Sequence, residues 1–393
     1  MTLTVRGPSI AGMAAAARLA RLGHRVRLVT DGEALGTRWA AAPGPGGHLV
    51  DALPQVISLP ATWRDLFKKS GGHLQAELNR ARLGWAEAPA AVHRFADGTV
   101  VTLPTGRGAQ HRAVATAFGA GAAARWRNLV DGLDGLWLAY RRHALEGVAP
   151  VTTREQRRSL WLDRSLGDLA ADLPAPLGRV VTDLGDSPGS PGLLAVRLHV
   201  EQLFGRWQLV DADGVPQRPS VLVDLLAARL AERGVEVVER GTSTPDVDCR
   251  PARARTSLVP ARGPGPAPAP QVVHELREGT VEGGAETVDH SGRRPVTTWL
   301  RPAPGGVLAT VHDHNAPTRD PAWGLETRSA RHWLRRPPVV SDVLRASASS
   351  PAGAEPWAEL GSAALAVYEL HERLTGEDPR PTNKDFRPGR LGR

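Results

Sequence analysis

The chain has 393 residues, a formal net charge of +8 and a single cysteine. That length supports two or three domains, one thiol excludes a disulfide framework or multi-cysteine metal site, and no apolar run reaches the about 20 residues that span a bilayer. The cationic excess is almost all arginine, with Lys68, Lys69 and Lys384 the only lysines; the arginines are scattered rather than gathered with aromatics into a groove, so nucleic acid is not an expected partner.

In chain order, residues 3–7 predict a short strand and 10–22 a helix of small and apolar residues, ended by Gly23. The alternation in HRVRLV predicts a second strand, which makes a βαβ start. A Gly/Pro-rich loop leads to an expected strand near Leu49 to Ile57. From PATWRDLFKKSG to about residue 145 the pattern is mostly helical, with Trp126 and Trp137 in helical patterns. It is interrupted by VHRFADGTVVTLP, where Asp97-Gly98 between β-prone runs predicts a hairpin. Residues 154–183 read as helical, Trp161 included, and GDSPGSPG as a loop. The 219–241 unit, LLAARLAERGVEVVERG, echoes the first helix and strand, as if one sheet were visited twice. Residues 250–270 predict a Pro/Ala/Arg-rich linker, 271–340 carry β-prone pieces, and a helix from about Trp357 to Leu374 stops at Gly376. The last residues predict a disordered tail.

The chemistry concentrates in GPSIAG. A strand delivers the backbone to a helix N-terminus, whose free amides and partial charge suit a pyrophosphate. Gly7 and Gly12 keep the first and third roles of a G-x-G-x-x-G turn, and Ser9 stands where the second glycine lets phosphate approach. An acidic partner for the ribose is expected at the end of the second strand; the strand ends at Thr30, and Asp31 follows, equally readable as a turn residue. His312 and His314 share a strand face or sit in a polar loop, and without a third ligand no metal site is expected. Asp163 and Asp168 read as solvated helix face, Arg141, Arg142, Arg157 and Arg158 as surface, and Cys249 as an inert small residue. G-x-x-x-x-G-K-[ST] does not occur, and the G-x-S-x-G spacing occurs only as GDSPG, Gly185 to Gly189, within the segment read as a loop.

The βαβ start, LGTRW, PATWRDLF, RFADGTVVTLP and SPAGAEPWAELGSAALAVYELHERLTG together resemble the phytoene desaturase-related branch of the flavin-dependent amine oxidase superfamily. The resemblance covers about the first 110 residues, the 196–241 unit and the last 50. It implies an α/β, glutathione-reductase-like FAD/NAD(P)-binding Rossmann-type domain with an inserted α+β substrate domain. It divides the chain into a dinucleotide-binding segment at 1–65, a mostly helical substrate or cap domain at 66–195 and a return to the dinucleotide domain at 196–250. A Pro-rich loop and β-rich segment at 251–335, a C-terminal dinucleotide-binding segment at 336–380 and a disordered tail at 381–393 complete it. It implies non-covalent FAD as cofactor. The family's contact positions fall on Gly7, Ser9, Ile10, Ala11, Gly12, Thr30, Asp31, Gly36, Thr37, Arg38, Ser347, Pro356 and Trp357. Ser9, Thr30, Thr37 and Ser347 depart from its pattern of glycines and carboxylates.

The expected activity is hydride transfer between flavin and an apolar, isoprenoid-like substrate, with chemistry that belongs to the cofactor and no assignable catalytic residue. The alternative is a non-catalytic flavin-fold scaffold or lipid-binding protein that has lost FAD. A third reading is a basic membrane-peripheral carrier of hydrophobic cargo. The opening residues lack the charged, apolar and cleavage regions of a signal peptide, so a cytoplasmic location is expected, with peripheral membrane contact left open by the basic charge.

Overall fold

The computed structural model describes residues 2–147, 150–251, 269–318 and 327–380. A five-stranded parallel sheet organises one half. Its strands are β1 (Thr2–Arg6), β2 (Arg25–Val29), β3 (Glu236–Val238), β4 (Val247–Asp248) and β5 (Leu344–Arg345), in the order β3-β2-β1-β4-β5. Helix α1 (Ile10–Arg21) joins β1 to β2; α2 (Val221–Glu232) precedes β3; α3 (Pro356–Thr375) follows β5. The two echoing helix–strand units place β3 and β2 side by side in parallel.

Helix α1 is alanine-rich because it is clamped. Residues 10 to 17 are all fully buried between the sheet, α2 and α3. A Cβ on Gly12 would sit 1.8 Å from the Gly7 carbonyl oxygen, so helix and strand approach as closely as the third glycine of the turn permits. Gly7 has φ +109°, a conformation open to glycine and strained for other residues. Gly376 ends α3 in the left-handed region, as expected.

A second sheet has six strands in the order 269–277, 306–318, 296–303, 285–289, 91–94, 100–103. Its last two strands are the expected hairpin: Gly98 takes φ +83°, and the Asp97 carboxylate accepts from the Thr99 amide at 2.9 Å. Against it packs a separate hydrophobic core built from helices 107–118, 120–140, 175–182 and 196–204, with Trp126 and Trp137 buried in it. A small antiparallel sheet forms around strand 206–211.

Some local expectations change. Leu49 to Ile57 is not one strand but two short ones, Leu49–Val50 and Ile57–Ser58. Asp51 accepts from the Leu53 amide and the Gln55 side chain, which folds the intervening residues into a turn. Trp161 lies in a turn at φ +51°, beyond the helix Arg154–Ser159. His312 and His314 lie on the Gly306–Thr318 strand rather than in a polar loop. Asp168 is exposed as expected and also closes a capping box with Ser165. The expected tail, and all but the ends of the 250–270 linker, lie outside the described residues.

Candidate functional site

In an open parallel sheet, ligands bind beyond the carboxyl ends of the strands where the chain reverses its winding. Here that point lies between β1 and β4, and the backbone there is Gly7 on one side and Cys249 and Arg250 on the other. Ser9 is buried. It caps α1: its hydroxyl accepts from the Gly12 amide at 3.4 Å and donates to the Cys249 carbonyl at 3.3 Å. The hydroxyl is therefore turned into the turn. Among the described residues the amides of Ile10 and Ala11 have no hydrogen-bond partner. A twelve-residue helix with two free N-terminal amides behind a positive-φ glycine fits a diphosphate. Ser9 takes the third amide through a long bond that a phosphate oxygen can replace.

The ribose end is different. Thr30 is buried, with its hydroxyl on the Gly32 amide at 3.3 Å. Asp31 is the half-exposed carboxylate at this end, held by Arg6 through bonds of 2.8 and 2.9 Å. The Arg6 guanidinium holds the Asp31 carboxyl below the usual carboxylate range. Arg250 pairs with Asp248 close by, at 2.8 Å. The Asp31 carboxylate is chemically able to accept from a hydroxyl, and the Arg6 guanidinium already occupies it.

Gly36 is tied to the turn before α1, its amide donating to the Pro8 carbonyl at 2.7 Å. Thr37 has φ +49°, strained for a β-branched residue. Arg38 turns away toward α3. It bonds Glu359 at 2.5 Å and the Ala354 carbonyl at 2.9 Å, and lies 4.0 Å over the Trp39 ring. Trp39 also donates to Glu359, at 3.2 Å. Burial pushes the Glu359 carboxyl up, and Arg38 partly offsets this. Ser347 is buried and accepts from the Ser349 amide. Cys249 is buried between these segments, and desolvation pushes its thiol up.

Of the sequence-derived residues, Arg38, Pro356 and Trp357 line a cavity of about 280 Å³. Trp39, Trp63, Trp299, Ile57 and Leu222 supply apolar wall, and Arg197, Arg206, Glu286 and His312 supply polar wall. Gly7 to Gly12, Thr30 and Asp31 lie at the sheet end and do not line it. Sequence reasoning missed Arg6 and Glu359. Arg6 carried a signal: a cation ends a buried strand where an apolar residue is the norm. Among the described residues no group of three or more metal-capable side chains occurs, and no helix is long and apolar enough to cross a membrane.

Residues 7–187 match the family described as FAD binding domain, and FAD is the cofactor this match supports. The chain is 31% identical over 223 residues to hydroxyneurosporene desaturase of Cereibacter sphaeroides, a stretch covering 53% of this chain and 44% of that protein. It is 33% identical over 144 residues to phytoene dehydrogenase of Streptomyces griseus, covering 37% and 27%. The chain thus spans less than half the length of these relatives. A putrescine oxidase triple mutant made to redesign cofactor binding shares the fold, with a TM-score of 0.60 at 14% identity over 96% of this chain and all of that one.

Proposed function

We propose that this chain is a phytoene desaturase-related member of the flavin-dependent amine oxidase superfamily and, with FAD as its cofactor, an oxidoreductase moving hydride between an apolar, isoprenoid-type substrate and the flavin. One observation carries the reading furthest. Arg38 and Trp39 from the short helix Thr37–Trp39 after β2 and Pro356 and Trp357 from the last helix line the same tryptophan-rich cavity. A flat apolar ligand buries most area against aromatic faces. A scaffold without cofactor is the less favoured alternative.

Bound flavin supplies the hydride chemistry. The chain's own part is placement. The Ile10 and Ala11 amides would hold the diphosphate, with Gly7 and Gly12 keeping strand and helix close enough to aim them. Asp31 would take the ribose in exchange for Arg6. Arg38, fixed by Glu359, would support the ring end, and Trp63, Trp299 and Trp357 would exclude water and hold the substrate.

The test is to purify the chain with FAD, read its visible flavin absorption, and offer phytoene or hydroxyneurosporene in detergent micelles with an electron acceptor. The expected result is a flavin spectrum and a red shift of the polyene. A flavin-loaded protein that oxidises neither polyene overturns the substrate class, and a colourless protein overturns the cofactor. Ser9→Trp, which fills the turn, is expected to abolish flavin uptake.

A further inference from the structure

Behind the first cavity lies a second, of about 210 Å³. Arg197, Glu201, Arg206, Glu286, Thr297 and His314 line both, so the two are lobes of one chamber with the Arg206–Glu286 ion pair between them. At the far lobe three buried side chains from three elements form a line. Asp183, which ends the helix Ala175–Thr182, meets His290 Nδ1 at 2.6 Å. His290, just past the strand Ala285–Asp289, meets His93 Nδ1 through its Nε2 at 2.9 Å. The two rings are stacked, with Phe95 against His290.

The carboxylate fixes one end of this line. A carboxylate accepts, so His290 Nδ1 carries the proton toward Asp183. In the tautomer proposed below, His290 Nε2 accepts from His93 Nδ1–H. The lone pair of His93 falls on Nε2, which has no partner among the described residues. Burial drives His93 down to about 3, with His290 and Arg206 adding to the effect, which keeps that ring neutral.

A second acceptor stands in the same lobe. Gln110 accepts from Trp126 Nε1 at 2.8 Å and donates to the Pro104 carbonyl at 3.0 Å, which fixes its orientation. Gln202 must then present its amide N–H to Gln110, at 2.6 Å. Its Oε1 is buried without a partner among the described residues. The carboxylates of this lobe are already satisfied: Asp183 by His290 and Arg179, Glu201 and Glu286 by Arg206. The lobe therefore lacks donors and lacks no charge.

We propose that the far lobe is a subsite for a neutral hydroxyl group of the substrate, whose O–H donates to His93 Nε2, the ring being held in that tautomer by His290 and Asp183. The proposal rests on reading the double cavity as the substrate chamber. His93 is then a specificity-determining residue, and Asp183 and His290 are positioning residues.

The test uses the full chain loaded with FAD and two isomeric probes, octan-1-ol and heptyl methyl ether, with octylammonium as a third. They differ in what the head can donate and little in apolar area. Octan-1-ol is expected to bind about fivefold more tightly than the ether, the range of one net hydrogen bond, and His93→Phe to bring the two together. Nitrogen NMR of the wild type is expected to show an unprotonated His93 Nε2 whose resonance moves on adding octan-1-ol and not on adding the ether; it needs no variant to fold. Equal binding of alcohol and ether, tighter binding of octylammonium, or a protonated His93 Nε2 overturns the proposal. Flavin absorption of the same samples separates the cases. A normal spectrum without alcohol preference removes this subsite alone, and a missing spectrum strikes the parent reading.

Discussion

Arg38→Met tests the buried Arg38–Glu359 pair on stability alone. Arg38 and Glu359 are 6% and 2% exposed and 2.5 Å apart, so the change leaves a buried carboxylate that has lost its cation and keeps the Trp39 indole N–H as a donor. Removing one partner of a buried pair costs about 3–5 kcal/mol, because the other charge stays desolvated. The pH dependence follows from Glu359. An acid whose folded pKa is raised contributes stability that is present at low pH and is lost as pH rises through that pKa. Burial already raises Glu359, and Arg38 opposes the rise, so the variant raises it further. The penalty is therefore largest at neutral pH and shrinks on acidification, when the carboxyl takes a proton. The assay is urea unfolding of wild type and Arg38→Met at pH 7 and pH 5. Adding Glu359→Gln removes the stranded charge and is expected to recover much of the loss. A cost below about 1 kcal/mol at pH 7, in the range of exposed pairs, or a cost that grows on acidification, refutes the reasoning.

Arg6→Val frees Asp31. The pair is about 30% exposed on both sides, so it is worth about 0.2–1 kcal/mol, and FAD affinity by titration calorimetry is expected to tighten by about 1.4- to 5-fold; weaker binding contradicts the clamp. Cys249 is fully buried with its thiol pushed up, so a thiol-reactive dye is expected to label it only as fast as the protein unfolds, and rapid labelling of the native chain refutes that placement. His93 and His312 are both depressed to about 3 by burial. The unfolded chain takes up their protons near the ordinary histidine value and the folded one does not. Stability is thus expected to fall as pH drops below about 6.5, and His93→Gln to flatten that fall in acid unfolding curves.

The βαβ start, the Asp97-Gly98 hairpin and the closing helix were legible in the sequence because each is local. A cap, a positive-φ glycine and a hydrophobic period lie within a few residues of one another. The echo at 219–241 was legible for the same reason, and the structure shows its consequence in β2 beside β3. The turn at Asp51 was hidden because its carboxylate also bonds the Ser220 amide, 169 residues away. The Arg38–Glu359 pair joins positions 321 residues apart, and the Asp183–His290–His93 line joins three elements across more than a hundred. No period or spacing in the chain announces such meetings. His312 and His314 were visible as residues, yet only the strand pairing of Thr297 with His312 and of Val296 with Asp313 gave them a wall to line.

The central claim is that the first turn still receives a diphosphate with Ser9 tucked beneath it. Titration calorimetry of the cofactor-free chain with FAD measures this directly. The account predicts saturable binding of one FAD per chain, an accompanying rise in unfolding temperature, and loss of both in Ser9→Trp. No heat and no thermal shift at saturating FAD, or equal uptake by Ser9→Trp, contradicts it.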